Sequence, residues 1–310
     1  MRDAERAAER SPSSELWEKW ERLVAQLRAF DAVTVAFSGG VDSSLLLCAA
    51  VQAKGERALA LTARSPSFSE ADQRAAEEVV ERLSARHRYV DTDELKRAGY
   101  RANEGQRCYH CRAALFEAAG LRRAGARGAL SQVAEGQLCY GAIVDDLGDH
   151  RPGMDAAADY QVIAPLLELA MTKREVRLLA RAQALPNWDR PAGACLASRF
   201  PDGVPVSAEA LEQVGRCEAR LELLGLREFR ARYHGEGLLR LEFGPAELER
   251  CFSEPALRAA VIESAQAAGF RYISLDLEGY RSGSGNRSST APERLESAPP
   301  GLVTIVEARR

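Results

Sequence analysis

The stretch that most constrains this chain is Val33-Thr34-Val35-Ala36-Phe37 followed by Ser38-Gly39-Gly40-Val41-Asp42-Ser43-Ser44. Five apolar or β-branched residues in a row read as a buried parallel strand. Leu45, Leu46, Leu47, Ala49, Ala50 and Val51 then read as a buried helix that closes near Gly55. Between strand and helix, two glycines let the backbone turn sharply and come close to a ligand. The serine hydroxyls and the free N–H groups of the helix start suit phosphate oxygens, helped by the helix dipole. No Gly-Lys-Ser/Thr follows, so this is not a Walker loop. A lone Gly-Gly would favour a plain turn before a core helix. Strand, helix and the serine-aspartate pattern together favour nucleotide binding.

The rest of the chain supports a sheet around that loop. Leu16, Trp20, Leu23, Leu27 and Phe30 recur at helical spacing, after a charged and then Ser-rich stretch that reads as a flexible tail over 1–14. Further strands are expected at Ala58–Thr62, His87–Asp91, Gly136–Ile143 and Tyr160–Ile163. Helices are expected from Ser69 to about Ala85, with Asp72 completing a weak capping box, and from Thr172 to Ala184, with Glu175 at the box position. Strands alternating with helices imply right-handed βαβ units, an α/β fold with a doubly wound parallel sheet. Ligands in such folds sit at the carboxyl ends of strands, where the acidic stretch Asp145-Asp146-Leu147-Gly148-Asp149 is placed to meet a metal–ATP complex or to form a solvated turn.

Pro186 marks a change of regime. The segment 187–205 is long and punctuated by proline and glycine, yet rich in Trp, Leu and Phe, which points to a functional loop. Beyond it, a helix over Ala208–Leu224, strands over Glu228–His234 and Leu238–Phe243, a helix around Glu254–Ala268 and a strand over Phe270–Leu277 suggest a smaller C-terminal α+β domain. The resulting division is a nucleotide-binding domain over 15–186, an active-site loop over 187–205, an α+β domain over 206–281 and a mostly mobile tail over 282–310.

Composition excludes several classes. With 46% hydrophobic and 28% charged residues the chain is not disordered, and a net charge of −3 does not advertise bulk nucleic-acid binding. No apolar run approaches a membrane span, and the start Met1-Arg2-Asp3-Ala4-Glu5-Arg6 is too acidic and polar for a signal peptide, so a cytoplasmic protein is expected. Seven cysteines in such a chain point to thiol chemistry, metal binding or burial, not disulfides. Cys48, Cys139, Cys217 and Cys251 fall inside elements and read as small buried hydrophobes. Cys108 and Cys111, a C-x-x-C pair, and Cys195 in the long loop stand apart. A zinc site wants four ligands and no second C-x-x-C exists. Three thiolates suit a four-iron, four-sulfur (4Fe–4S) cluster with one iron open to an outside ligand.

The Ser38–Ser43 loop matches Ser-Gly-Gly-x-Asp-Ser of the PP-loop ATP pyrophosphatase superfamily, whose members cleave ATP between the α- and β-phosphates and adenylylate a substrate. Together with Arg107-Cys-Tyr-His-Cys-Arg112, Asp145-Asp-Leu-Gly-Asp-His-Arg-Pro-Gly153, Trp188-Asp-Arg-Pro-Ala192, Cys195-Leu-Ala-Ser-Arg-Phe-Pro201, Phe229-Arg-Ala-Arg232 and Leu275–Ser284, it resembles the LarE-type ATP-dependent sulfur transferases, with the motifs in family order. The resemblance implies adenylylation of the carboxylates of pyridinium-3,5-biscarboxylic acid mononucleotide and their replacement by thiocarboxylates, toward the nickel-pincer nucleotide of lactate racemase-type enzymes. It implies ATP and Mg2+ at Ser38, Gly39, Gly40, Asp42, Ser43 and Ser44, with Asp42 and Ser43 serving catalysis, and Cys195 as the sulfur-bearing nucleophile. Arg199 would hold the thiol ionised or bind phosphate. Arg230 and Arg232, on one face of a strand, would clamp a substrate phosphate. Members with only the Cys195 equivalent give up its sulfur and keep dehydroalanine. Members with all three cysteines are thought to hold the cluster, which the Cys108, Cys111 and Cys195 trio favours here.

One departure stands out, since Gly141-Ala142-Ile143 replaces the usual Gly-Thr/Ala-Asn before the Asp-Asp pair. The partners expected are a small pyridinium nucleotide and further copies of the chain, a homo-oligomer, with neither nucleic acid nor membrane. A tRNA thiolase, an amidating synthetase of the NAD or GMP synthetase kind, and a non-catalytic nucleotide sensor remain the competing readings.

Overall fold

A computed structural model describes residues 11–125, 133–147, 152–190, 193 and 195–281. The tails expected over 1–14 and 282–310 lie outside these residues, except for positions 11–14. Helix α1 (Ser14–Arg28) is capped by the Ser13 hydroxyl, which accepts from Leu16 N, and buries Leu16, Trp20, Leu23, Val24 and Leu27. There follow β1 (Val33–Ala36), α2 (Val41–Lys54), β2 (Ala58–Arg64), α3 (Glu70–Leu83) and β3 (Arg86–Asp91). Next come α4 (Ala98–Ala102), α5 (Arg107–Ala118), β4 (Gln137–Tyr140), α6 (Pro152–Asp159), α7 (Pro165–Glu168) and α8 (Lys173–Ala182).

The strands form a parallel sheet in the order β3-β2-β1-β4. Val33 is in register with Ala58 on one side and Gln137 on the other. The chain winds outward from β1 to β3 and then returns to lay β4 against the free side of β1. Winding therefore reverses between β1 and β4, and the carboxyl ends of these two strands are where such folds place a ligand. The fold is α/β with its ligand-binding edge located by topology.

One expected strand does not form. Tyr160–Ile163 makes only a single bridge, Ile163 to Cys139. Gln161 turns the chain with φ +57°, and Pro165, which has no N–H to give a ladder, opens α7 two residues after Ile163. The C-x-x-C pair, given no element by the sequence, lies on the first turn of α5. Residues three apart on a helix share a side, so Cys108 and Cys111 face the same way.

The C-terminal part comprises α9 (Ala208–Leu223), β5 (Phe229–Tyr233), β6 (Leu238–Phe243), α10 (Pro245–Ser253), α11 (Pro255–Ala267) and β7 (Tyr272–Leu275). Its small mixed sheet runs β5-β6-β7, antiparallel and then parallel. The helix expected around Glu254–Ala268 is α11, and a further helix, α10, precedes it, because Pro245 and Pro255 each pre-organise a helix start. Their core contains Leu211, Val214, Leu241, Phe243 and Phe270, and it also takes in Tyr100 from α4 and Leu196, Ala197 and Phe200 from the long loop.

The turn after β4 sits against the turn after β1. A Cβ added at Gly141 would lie 2.8 Å from Ser43 N, a backbone atom that cannot swing aside. Gly141→Ala is therefore expected to destabilise the fold by about 1–3 kcal/mol, as overpacking does, read as a lower urea midpoint; an unchanged midpoint would show that the two turns separate freely.

Candidate active site

The phosphate loop follows β1, and its Ser38-Gly39-Gly40 run ends at the N-cap of α2. Gly39 takes φ +73°, where a Cβ would meet Ala76 N at 2.9 Å, so both conformation and packing against α3 require glycine. Ser38 and Ser43 present their hydroxyls to each other at 3.3 Å across the loop. Ser43 Oγ also donates to Gly40 O at 3.0 Å. Ser44 is placed differently: it is fully buried, and its hydroxyl donates inward to Gly40 O at 2.9 Å. It supports the loop from beneath.

Asp42, half-buried in the first turn of α2, is held by Lys173 Nζ at 2.7 and 2.6 Å from its two carboxylate oxygens. Burial raises its carboxyl above the usual range; Lys173 pulls it back, while the nearby Asp146 pushes it up further. Lys173 is itself fixed by a capping box between Thr172 and Glu175 at the start of α8, and its backbone N–H donates to Asp145 at 2.9 Å. The acidic stretch after β4 thus meets the phosphate loop through this lysine. Magnesium takes one or two carboxylates and completes its shell with phosphate oxygens and water; Asp42, on which Asp146 acts electrostatically, is the carboxylate that would meet it once Lys173 yields.

The cysteines gather on the neighbouring side. The long loop is tied down at Leu196 N, which donates to Ser67 O at 3.0 Å, and at Arg190, which donates to Asp72 at 3.0 Å. Asn103, after α4, donates its side-chain amide to Pro201 O at 2.7 Å and Val204 O at 3.1 Å, bringing the Cys108 helix against the same loop. Cys108 and Cys195 are exposed and Cys111 is partly so. Solvent reaches Cys195, yet the crowding protein pushes its thiol pKa up; Arg107 and Arg199 draw it down and Cys108 adds to the rise. The Cys111 thiol is pushed up as well, by burial first and then by Cys195. The three thiols are electrostatic neighbours. Among the described residues, however, no three His, Cys, Asp or Glu side chains are arranged to hold a metal ion. The trio in this arrangement does not fit the cluster that its sequence suggests.

The arginines have partners. Arg199 is buried in a bidentate pair with Glu218 at 2.8 and 2.9 Å, and its Nη1 donates to Cys195 O at 3.3 Å. Arg232 pairs with buried Glu242 at 2.8 Å and donates to Ser198 O at 2.7 Å. Arg230 lies with its guanidinium 4.8 Å from the centre of the Tyr280 ring. Burial lowers its pKa first, and the positive charges of Arg199 and Arg232 lower it further. The three arginines therefore form one basic cluster beside the Cys195 turn. Arg199 and Arg232 brace that turn from within, a role the sequence did not show.

Comparison with known proteins agrees with this geometry. The Asparagine synthase family profile matches residues 18–102, the span that carries the phosphate loop. The pyridinium-3,5-bisthiocarboxylic acid mononucleotide synthase of Lactiplantibacillus plantarum is 31% identical over 269 residues, covering 86% of this chain and 94% of that protein. The chain belongs to this LarE-type family. An uncharacterized protein of Synechocystis sp. is 36% identical over 277 residues, covering 88% of this chain and 98% of its own length. An uncharacterized protein of Methanocaldococcus jannaschii is 24% identical over 251 residues, covering 81% of this chain and 91% of its own.

In this LarE-type chain the sequence missed Lys173, Arg177 and Asn187. A capping box flagged the start of α8, but nothing local tied Lys173 to Asp42. Arg177, one turn on, also acts electrostatically on Asp42.

The Cys195 thiol gives a pH test. A pKa above the ordinary 9.0 leaves little thiolate at neutral pH. Iodoacetamide labelling of Cys195, followed by peptide mass mapping, is therefore expected to accelerate with pH up to and beyond 9.0. Arg107→Gln removes a cation that favours thiolate, so labelling at pH 8 should slow by roughly two- to fivefold. A rate that levels off near neutral pH would contradict this electrostatic account.

Proposed function

We propose that this chain is an ATP-dependent sulfur transferase that converts the carboxylates of pyridinium-3,5-biscarboxylic acid mononucleotide to thiocarboxylates. The observation that carries the reading is the anchoring of the Cys195 turn at Ser67, just past the carboxyl end of β2, so that a thiol and a phosphate loop share one sheet edge. In this reading residues 15–186 perform the ATP chemistry, 187–205 deliver sulfur, and 206–281 contribute arginines that hold the substrate's phosphate. The enzyme works in the cytoplasm on a free nucleotide, as a homo-oligomer, without nucleic acid or membrane; no helix among the described residues is long and apolar enough to cross a membrane.

A carboxylate oxygen of the substrate attacks the α-phosphorus of ATP, and the bond to the bridging oxygen breaks. Pyrophosphate leaves toward the N–H groups and hydroxyls of Ser38, Gly39, Gly40 and Ser43. Asp42 would hold Mg2+, which when bound neutralises phosphate charge. Lys173 supplies a second cation at Asp42. The acyl-adenylate now has AMP as a leaving group, and the Cys195 thiolate attacks its carbonyl carbon to form a thioester. Loss of the Cys195 α-proton then drives its electron pair into a Cα–Cβ double bond. The Cβ–S bond breaks, and sulfur departs as the thiocarboxylate. Dehydroalanine remains, so one chain supplies one sulfur.

The measurement is direct. With Mg-ATP and the biscarboxylate nucleotide, pyrophosphate should appear, and Asp42→Ala should abolish its release while the circular dichroism spectrum stays unchanged. Orthophosphate as the first product would remove the reading, and stimulation by tRNA in place of the pyridinium nucleotide would turn it toward a thiolase. After one turnover Cys195 should lose about 34 Da, the mass of hydrogen sulfide. The cluster route, which the arrangement of Cys108, Cys111 and Cys195 does not fit, is the outcome that would overturn this one. On that route anaerobic reconstitution loads about four irons per chain, Cys108→Ala prevents it, and Cys195 keeps its mass.

Arg230 gives a separate test of the substrate side. Arg230→Ala should weaken the substrate by about 10–100-fold, the equivalent of about 1.5–3 kcal/mol for a charge-assisted contact. ATP affinity should stay within about twofold of wild type, since Arg230 serves only the substrate phosphate. Equal losses, compared by isothermal calorimetry, would move Arg230 out of the substrate site.

A further inference from the structure

We infer that Asn187 is a positioning residue that aims the phosphate loop. The inference rests on the ATP-dependent reading above and adds to it a residue remote from the loop in sequence. Asn187 is only 4% exposed, and its Nδ2 lies 2.8 Å from Gly39 O and 2.8 Å from Ser44 Oγ. A carbonyl oxygen can only accept, so the atom facing Gly39 must be the amide nitrogen. Ser44 directs its own hydrogen to Gly40 O, so its oxygen accepts the second Nδ2 hydrogen. Asn187 thus holds the Gly39 carbonyl directly and the Gly40 carbonyl through Ser44.

Peptide planarity converts those contacts into an orientation. In a trans peptide the C=O and the following N–H point in opposite directions. Holding the Gly39 and Gly40 carbonyls on the buried side therefore turns the Gly40 and Val41 N–H groups the other way, the Gly40 N–H lying 3.4 Å from Ser38 Oγ on the hydroxyl side of the loop. Gly39 has φ +73° and Gly40 has no side chain, so the glycine pair has little intrinsic preference for that arrangement. Ser43 Oγ and Ser44 N also hold Gly40 O from within, at 3.0 Å each, so what Asn187 adds from outside the loop is the hold on Gly39 O. The other amide atom, Asn187 Oδ1, is buried with no hydrogen-bond partner among the described residues. An amide kept at such a position, with its oxygen unsatisfied, is explained by what its nitrogen does.

In the proposed reaction pyrophosphate leaves toward these N–H groups, so the effect is expected to be selective for the part of ATP that leaves. Asn187→Asp replaces the donor by an oxygen that repels Gly39 O, and Asn187→Ala removes it without adding charge. Binding of magnesium pyrophosphate, Mg-ATP and AMP to the full chain should be compared by calorimetry. Both variants are expected to lose about 10–100-fold in pyrophosphate and ATP affinity, the range for hydrogen bonds to charged groups. AMP binding is expected to stay within about twofold, because the α-phosphate and nucleoside lie outside these contacts. A parallel loss of AMP and ATP in both variants, as from general loosening, overturns the inference, and so does unchanged pyrophosphate binding. Failure of the wild type to release pyrophosphate would instead remove the underlying reading, so the two outcomes are separable.

Discussion

The buried ion pair between Arg199 and Glu218 is the interaction on which the arrangement around the Cys195 turn depends. Two charges taken out of water are favourable only if geometry is good and the remaining hydrogen-bonding capacity is used. Both conditions hold here. The pair is bidentate, Arg199 Nη1 also reaches Cys195 O and Ser198 Oγ, and Glu218 accepts the backbone N–H of Ala231. One residue of the sulfur-bearing loop is thereby joined to α9 and to β5 at once. Loss of either partner would leave a buried charge uncompensated, a cost of about 3–5 kcal/mol.

The same region concentrates positive charge. Arg230 stands beside two other arginines, and its lowered pKa records both desolvation and their repulsion. Glu218 and Glu242 neutralise Arg199 and Arg232, and Arg230 lies beside them over the Tyr280 ring. A phosphate brought there would relieve repulsion already present in the protein, which is how a rigid site favours an anion without reorganising. The nearby thiol benefits from the same field, because Arg199 also favours its ionised form.

The phosphate loop was legible in sequence because its constraints are local: strand, glycine turn and helix start follow within a dozen residues. Capping residues Ser69 and Thr172 marked α3 and α8 for the same reason. What was not legible depends on distant partners. Lys173 meets Asp42 across 131 positions and Asn187 meets Gly39 across 148, and neither carries a local pattern that announces a mate. Alternation placed Arg230 and Arg232 on one face but could not show that Arg232 answers buried Glu242. The expected strand over Tyr160–Ile163 has a suitable composition, and a left-handed turn at Gln161 overrides it.

The long loop now has a physical reason to be long. Its first residues lie under the phosphate loop at Asn187, its middle reaches α3 at Asp72 through Arg190, and its end is buried in the C-terminal core at Leu196, Ala197 and Phe200. A segment that must touch three separate elements cannot be a helix or a strand, whose regular rise fixes a single direction. Irregular backbone is tolerated because its groups find partners, as at Ser67 O and through the Asn103 side chain. Cys195 lies between the anchor at Asp72 and the buried turn that follows it. Adenylylation and sulfur delivery are chemically separate steps, yet Asn187 at the phosphate loop and Arg199 at the Cys195 turn belong to one stretch of chain.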